Sequence, residues 1–383
     1  MSSLSLNTTV AIIGGGVVGA AILHALAHRG VDAVLLEAEP GLAYGASGTN
    51  SGVLHTGFDS TPGELETELI IRSAALRPAI LRALGTPVIH TGAQLVPHRD
   101  EDHETIAGLA ANAATNGVEV HVRTADGALV VPGESVTDPV AFTLGLASSA
   151  VAAGARVEVD SAVIRIDDLP DGLLLHLATG HSVTAQVVIN AAGLHADDIA
   201  RLIGDSSFEI YPRKGEFLVF ELPGGRTLDT IQLPVPTKRT KGVLVFPTLD
   251  GRVVAGPTAV DLEDKDDWTV RPDARGDILS KAVEHVPALE GLTPVFSYAG
   301  LRPAGRNANY IIEPSSANPK LINVAAIRST GLSASLGIAE YVVGLVERHG
   351  IEVGDSRPVS AGSFAPLERP WWMRTATLKN SIT

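Results

Sequence analysis

Four glycines within six residues, Gly14-Gly-Gly-Val-Val-Gly19, constrain this chain more than any other feature. The apolar run Val10-Ala-Ile-Ile13 before them suits a buried parallel strand, and residues 20–28 after them read as helix. Residues 31–36 read as a second strand, ending in Glu37. In such a β-α-β unit Gly14 permits the tight turn and Gly16 lets a pyrophosphate approach the backbone. Gly19 lets helix and strand pack closely, while the helix N-terminus faces the phosphates. Glu37, eighteen residues beyond Gly19, is placed to accept from a ribose hydroxyl, and its charge argues against a 2′-phosphate. The pyrophosphate site alone does not separate NAD from FAD.

Residues 8–27 carry no formal charge over about the length of a membrane span. Their glycines, and the lack of a basic start and cleavage site, favour the strand–turn–helix reading over a span or signal peptide. That predicts a cytoplasmic protein with no integral membrane segment. A net charge of −14 disfavours nucleic acid and anionic membrane surfaces as partners, yet leaves open a small anionic substrate met by a local Arg and Lys cluster. The absence of cysteine removes disulfides, thiolate metal sites, a cysteine nucleophile and a flavin tethered through cysteine. No metal is expected.

The chain of 383 residues, 45% apolar and 19% charged, has material for two domains or one large one. Helices are predicted at Leu65–Leu84 (with Pro78 at a kink or break), 106–115, 140–153 and 331–346. Strands are predicted at 118–122, Leu129–Val131, 155–159, 187–193, 216–220, 243–246, 253–255, 296–300, 310–312 and 321–327. Asp250-Gly251 reads as a hairpin turn. Strand–helix alternation at both ends encloses a strand-rich middle. The expected class is α/β (α+β): a Rossmann-like nucleotide-binding domain (1–80, 150–205 and 325–365) interleaved with a strand-rich substrate domain (81–149 and 206–324). Residues 366–383 form a tail whose Trp371-Trp372 pair suits a packing anchor or contact surface.

The segment Gly45-Ala-Ser-Gly-Thr-Asn-Ser-Gly52 exposes many backbone N–H groups and could wrap the far part of a long cofactor. Beyond it, Thr49-Asn-Ser-Gly-Val-Leu-His-Thr-Gly-Phe-Asp59 resembles the flavin-proximal segment of the D-amino-acid-oxidase-like FAD superfamily. Asn190-Ala-Ala-Gly-Leu-His-Ala-Asp197 and Arg213-Lys-Gly-Glu-Phe217 resemble its second FAD-contacting turn and its Arg-Gly-Glu/Gln strand. Val235-Pro-Thr-x-x-x-Lys-Gly-Val243, Gly256-Pro-Thr-Ala-Val-Asp261, Tyr298-Ala-Gly-x-Arg-Pro303 and Arg328-Ser-Thr-Gly-Leu-Ser-Ala-Ser335 complete the set. The branch resembled holds glycerol-3-phosphate oxidases and dehydrogenases and L-2-hydroxyglutarate oxidases. There are departures: Glu66 stands where hydroxyglutarate enzymes often have Lys, and Lys214 where relatives often have Arg. The sequence also ends without the extra C-terminal domain of longer glycerol-3-phosphate dehydrogenases.

The resemblance implies non-covalent FAD held by Gly14, Gly16, Gly19, Glu37, Ser47, Thr49, Asn50, Ser51, Ala192, Gly193, Gly331 and Leu332. Oxidising an alcohol with flavin requires loss of the hydroxyl proton, work that suits an imidazole. The resemblance puts His55 beside the flavin as that base, with Lys241 and Arg302 completing the catalytic set. Ser51, His55, Lys241, Arg302 and Ser329 are the expected substrate contacts, Arg302 through two parallel hydrogen bonds to an anion. The expected reaction is oxidation of glycerol 3-phosphate to dihydroxyacetone phosphate, with oxygen or another carrier as electron acceptor. L-2-hydroxyglutarate oxidation is the alternative, and an amino-acid or sarcosine-type oxidation the third. From other classes, an NAD-binding module or a flavin-binding assembly protein without turnover fits the later motifs less well.

Overall fold

A computed structural model describes residues 5–237, 242–359 and 361–380. The opening unit forms as its glycines dictate: β1 (Ser5–Ile13), a glycine turn, α1 (Val17–Ala27) and β2 (Ala33–Leu36). β1 is the centre of an eight-stranded sheet. It pairs in parallel with β2 on one side (Ile13 opposite Leu36) and with Ser182–Asn190 on the other (Ile13 opposite Asn190). Leu321–Ala325 joins in parallel beyond, Asn190 opposite Asn323, so four strands end level. Their runs of Val, Ile, Leu and Ala are buried on both faces, as expected of parallel strands covered by helices. α1 packs here with the helices Pro139–Ala152 and Gly331–Arg348 in one apolar core.

A second, nine-stranded sheet is built around Ile210–Phe220, which runs antiparallel to Phe296–Gly305 along its length. The strands Leu244–Pro247 and Val253–Gly256 form the hairpin expected around Asp250-Gly251. A small third sheet sets β3 (Val53–Leu54) against Ser135–Thr137, with Val88–Ile89 on the other side.

α2 (Leu65–Leu84) has the expected bounds, and Pro78 lies inside it without ending it. Two expectations are corrected. The helix expected from residue 106 begins at Asp100, because Asp102 turns back to accept from the His98 and Arg99 N–H groups and caps the first turn. The strand expected over 118–122 is only His121–Val122. Gly117 (φ +69°) ends the preceding helix in the left-handed conformation, and Val118 N–H donates back to Ala113 O. That helix stop consumes the first residues of the expected strand.

Candidate active site

A cleft of about 460 Å³ opens over the level ends of the parallel strands. Its walls bring together Gly14, Gly16, Glu37, Ser47, Asn50, Ala192, Gly193, Gly331 and Leu332 from five separate stretches of chain. The glycines differ in why they must be glycine. Gly14 has φ +109° and faces the Ala191 carbonyl, and a Cβ on Gly19 would overlap the Gly14 carbonyl oxygen. Both are demanded by backbone packing. Gly16, with φ −75°, is open to any residue, and a Cβ there would meet only the Ser47 hydroxyl, at 3.2 Å. The space beside Gly16 is therefore space for a ligand rather than for the protein's own atoms.

That space lies at the start of α1, where no side chain of the N-cap residue satisfies the first N–H groups; Ser47 Oγ accepts from Val17 N–H at 2.9 Å. An anion is favoured there by the remaining donors and the helix dipole. Glu37 closes the end of β2, its two oxygens accepting from Gly15 N–H (2.5 Å) and Glu39 N–H (2.8 Å). Burial pushes its carboxyl up, against the downward pull of those N–H groups. An open approach at Gly16, a helix start met by one side chain at Val17 N–H, an acid beyond β2 and a second glycine turn at Gly193 together fit a dinucleotide such as FAD.

β3 carries the chain from this cleft to His55. The β3 register pairs Val53 with Val136 and Leu54 with Ser135, and one further step sets His55 opposite Glu134. His55 Nδ1 lies 2.8 Å from Glu134 Oε2. The other oxygen, Oε1, accepts from Thr56 N–H at 2.7 Å and Thr56 Oγ1 at 2.9 Å. Glu134 is fully buried, whereas the His55 side chain is 27% exposed. Arg77, on α2, donates to the His55 carbonyl at 2.6 Å. Its guanidinium is lowered to about 10 by burial, with the Glu134 charge opposing that shift. Ser333 Oγ accepts from His55 N–H at 2.9 Å. Sequence reasoning missed Glu134 and Arg77; the local signal was the register of two short strands, invisible before pairing is known.

Arg302 projects from Phe296–Gly305, and its guanidinium is buried among main-chain carbonyls. Nε donates to Arg213 O (3.0 Å), and Nη2 to Lys214 O (3.0 Å) and Thr258 O (2.7 Å). Nη1 is not part of this set, so with Nε and Nη2 already donating to carbonyls the two parallel hydrogen bonds expected to an anion have one uncommitted nitrogen to start from. Burial and neighbouring Arg213 lower the guanidinium to about 10, against the pull of Asp261. Thr49 is buried beneath Gly300, Ser51 Oγ accepts from Val53 N–H, and Ser329 is exposed. None of these, nor Gly19, His55 or Arg302, lines the cleft itself. Lys241 lies outside the described residues.

Lys214 is buried and tied to Asp267 (2.7 Å) and Thr269 O (2.9 Å). Glu66 takes Arg328 Nη2 at 2.9 Å, Thr330 Oγ1 and Asn309. The tail forms a helix, Trp371–Asn380, packed against the turn Ala46–Thr49, and Lys379 near its end lines the cleft. Arg374 stacks on Tyr44 at 3.8 Å and donates to Leu42 O, while Thr375 donates to Ala43 O and fills the place of a Gly48 side chain. Trp371 and Trp372 are buried against Tyr298 and Phe296. The two tryptophans are a packing anchor. Among the described residues no helix is long and apolar enough to cross a membrane, and no cluster of metal-ligating side chains occurs.

Comparison with known proteins places this arrangement. A model of the family described as FAD dependent oxidoreductase (DAO) matches residues 9–345. The glycerol 3-phosphate dehydrogenase of Caloramator mitchellensis is 29% identical over 353 residues, covering 88% of this chain and 73% of that protein. The L-2-hydroxyglutarate dehydrogenase of Escherichia coli K12 is 27% identical over 266 residues, 65% of this chain and 63% of that protein. Among solved structures, the FAD-bound L-α-glycerophosphate oxidase of Mycoplasma pneumoniae superposes with a TM-score of 0.87 at 26% identity, covering 94% of this chain and 99% of that one.

Proposed function

The chain belongs to the DAO family of FAD-dependent oxidoreductases, and from that membership we propose that it oxidises glycerol 3-phosphate to dihydroxyacetone phosphate. The observation that carries the substrate is the reach of the likeness. Similarity to a glycerol 3-phosphate enzyme extends over 88% of the chain, against 65% for an L-2-hydroxyglutarate enzyme. Glu66 supports the same choice: a carboxylate held by Arg328 stands where a hydroxyglutarate enzyme often has a cation.

FAD, when bound without a covalent link, supplies the two-electron acceptor for the carbinol hydride. The chain's own residues do the rest. Gly16 and the start of α1 receive the pyrophosphate, Glu37 the ribose, and Ser47, Asn50, Gly193, Gly331 and Leu332 the rest of the cofactor. His55 takes the substrate's hydroxyl proton. Arg302, whose hydrogen bonds to carbonyls leave its charge unneutralised by them, draws the anion, with Lys241 in support. Ser51 and Ser329 belong to the same proposed substrate set, and Thr49 to the cofactor set. The division into a discontinuous FAD-binding domain and a substrate domain is supported by the two separate large sheets, with shifted bounds: the helix Pro139–Ala152 and the strands Ile311–Pro314 and Leu321–Ala325 go with the first sheet and hence with the FAD-binding part. Oxygen or another carrier as acceptor, and a cytoplasmic location, are further parts of the proposal.

The test is product formation by purified, FAD-loaded protein given glycerol 3-phosphate, L-2-hydroxyglutarate or glycine, with an added electron acceptor. Dihydroxyacetone phosphate should accumulate, and His55→Ala should slow it by about 10²-fold or more at unchanged FAD content. Turnover confined to glycine or L-2-hydroxyglutarate overturns the substrate assignment.

A further inference from the structure

We propose that Glu134 is the positioning residue of the proton-transfer machinery: it holds the His55 ring with its proton on Nδ1, so that Nε2 presents the basic lone pair. The proposal rests on the reading of His55 as the base and adds a residue and a protonation state to it.

The geometry leaves the carboxylate few alternatives. Glu134 is wholly out of water, so each oxygen must find donors within the protein. Oε1 is held by the Thr56 N–H and the Thr56 hydroxyl. Oε2 is then left for the ring, and a carboxylate only accepts, so at 2.8 Å Nδ1 must be the donor. A neutral imidazole protonated at Nδ1 has its lone pair on Nε2. When the substrate O–H bond breaks, that lone pair forms the new N–H bond and the electron pair stays on the substrate oxygen. The imidazolium so formed still donates to Glu134 through Nδ1, and the buried negative charge stabilises it. Buried Arg77, which holds the His55 carbonyl, balances the carboxylate when the ring is neutral. The ring is thus fixed from its backbone on one side and from Nδ1 on the other.

Glu134→Gln makes the sharpest probe because Thr56 N–H can only donate. The amide oxygen must therefore stay on Thr56, and the amide NH₂ takes the place of Oε2. It donates to Nδ1, which drives the ring proton onto Nε2 and removes the base. Nitrogen NMR of the protein carrying labelled histidine reads this directly, with or without turnover, His55→Ala identifying the resonance. We expect wild-type His55 protonated at Nδ1 and Glu134→Gln His55 protonated at Nε2. In rapid mixing the variant should retain FAD and bind substrate within about threefold of wild type, yet reduce its flavin about 10²-fold or more slowly. Wild-type His55 protonated on Nε2 overturns the proposal even if Glu134→Gln does not fold. An unchanged tautomer and rate in Glu134→Gln, with His55→Ala slow, overturns the role of Glu134 alone. A wild-type rate in His55→Ala overturns both it and the reading of the base.

Discussion

Replacing Gly16 and Gly19 separately by alanine distinguishes a glycine kept for a ligand from one kept for the fold. At Gly16 the added methyl meets only the Ser47 hydroxyl, at 3.2 Å, and a small rotation of that side chain relieves it. Gly16 is the N-cap of α1, where alanine is less favourable than glycine, so the apo protein should lose only about 1 kcal/mol. The same methyl occupies the approach to the α1 N–H groups. Losing two hydrogen bonds to a charged phosphate, at about 1.5–3 kcal/mol each, should weaken FAD binding by roughly 10²- to 10⁴-fold. At Gly19 the methyl overlaps the Gly14 carbonyl oxygen, and neither backbone can yield without moving β1 from α1. Gly19→Ala should therefore destabilise the apo protein by about 3 kcal/mol or more. Urea unfolding of both apo variants and fluorescence titration with FAD separate the two effects. With free FAD at about 1,000 times its wild-type Kd, the wild type gains about 4 kcal/mol that Gly16→Ala should largely forgo. Wild-type FAD affinity in Gly16→Ala, or equal apo destabilisation in both variants, defeats this assignment.

Arg302→Ala removes a donor from three carbonyls as well as a positive charge, so it should weaken glycerol 3-phosphate binding about 30- to 150-fold and also lower the urea midpoint. Unchanged KM and FAD content would return Arg302 to a purely structural role. His24, buried in α1 and lowered to about 3 by burial with help from His28 and Arg29, is neutral in the folded protein and protonates first in the unfolded chain. Its folded value lies below the unfolded 6.5, so its contribution is intact above about pH 6.5 and is lost as pH falls toward 3. The full effect is on the order of 5 kcal/mol, and His24→Leu should flatten unfolding free energy against pH by up to about 1.4 kcal/mol per pH unit in that window. An unaltered pH slope in the variant would contradict this. A chain ending at residue 370 lacks the Arg374 and Thr375 contacts to residues 42–43 and should bind FAD at least tenfold more weakly; unchanged affinity would leave the tail helix without a part in holding the cofactor loop.

The glycine turn, Glu37 and the parallel strands were legible because each obeys a local rule: glycines where backbones touch, apolar runs where both faces are covered. α2 was legible to its last residue because Gly85, with φ +64°, ends it. The start of the Asp100 helix was not read, although Asp100-Glu-Asp102 is an acidic first turn, because the apolar period begins only at Ile106. The Glu134–His55 pair was not legible at all. It depends on pairing between β3 and a strand about eighty residues away, and a lone Glu between Gly133 and Ser135 looks like a turn. Arg302 shows the opposite limit: the resemblance singles it out for an anion, but says nothing of the commitment of its Nε and Nη2 to carbonyls.

The proposed chemistry is most directly tested by anaerobic rapid mixing of the FAD-loaded protein with glycerol 3-phosphate bearing hydrogen or deuterium at the carbinol carbon. The oxidised-flavin absorbance should fall in a single phase, saturate with substrate, and fall several-fold more slowly with deuterium, because the bond to that carbon breaks in the step observed. Glycerol at the same concentrations should leave the flavin oxidised, since it offers Arg302 no anion. A flavin that stays oxidised with glycerol 3-phosphate but bleaches with an amine or amino acid would contradict hydride removal from a phosphorylated alcohol.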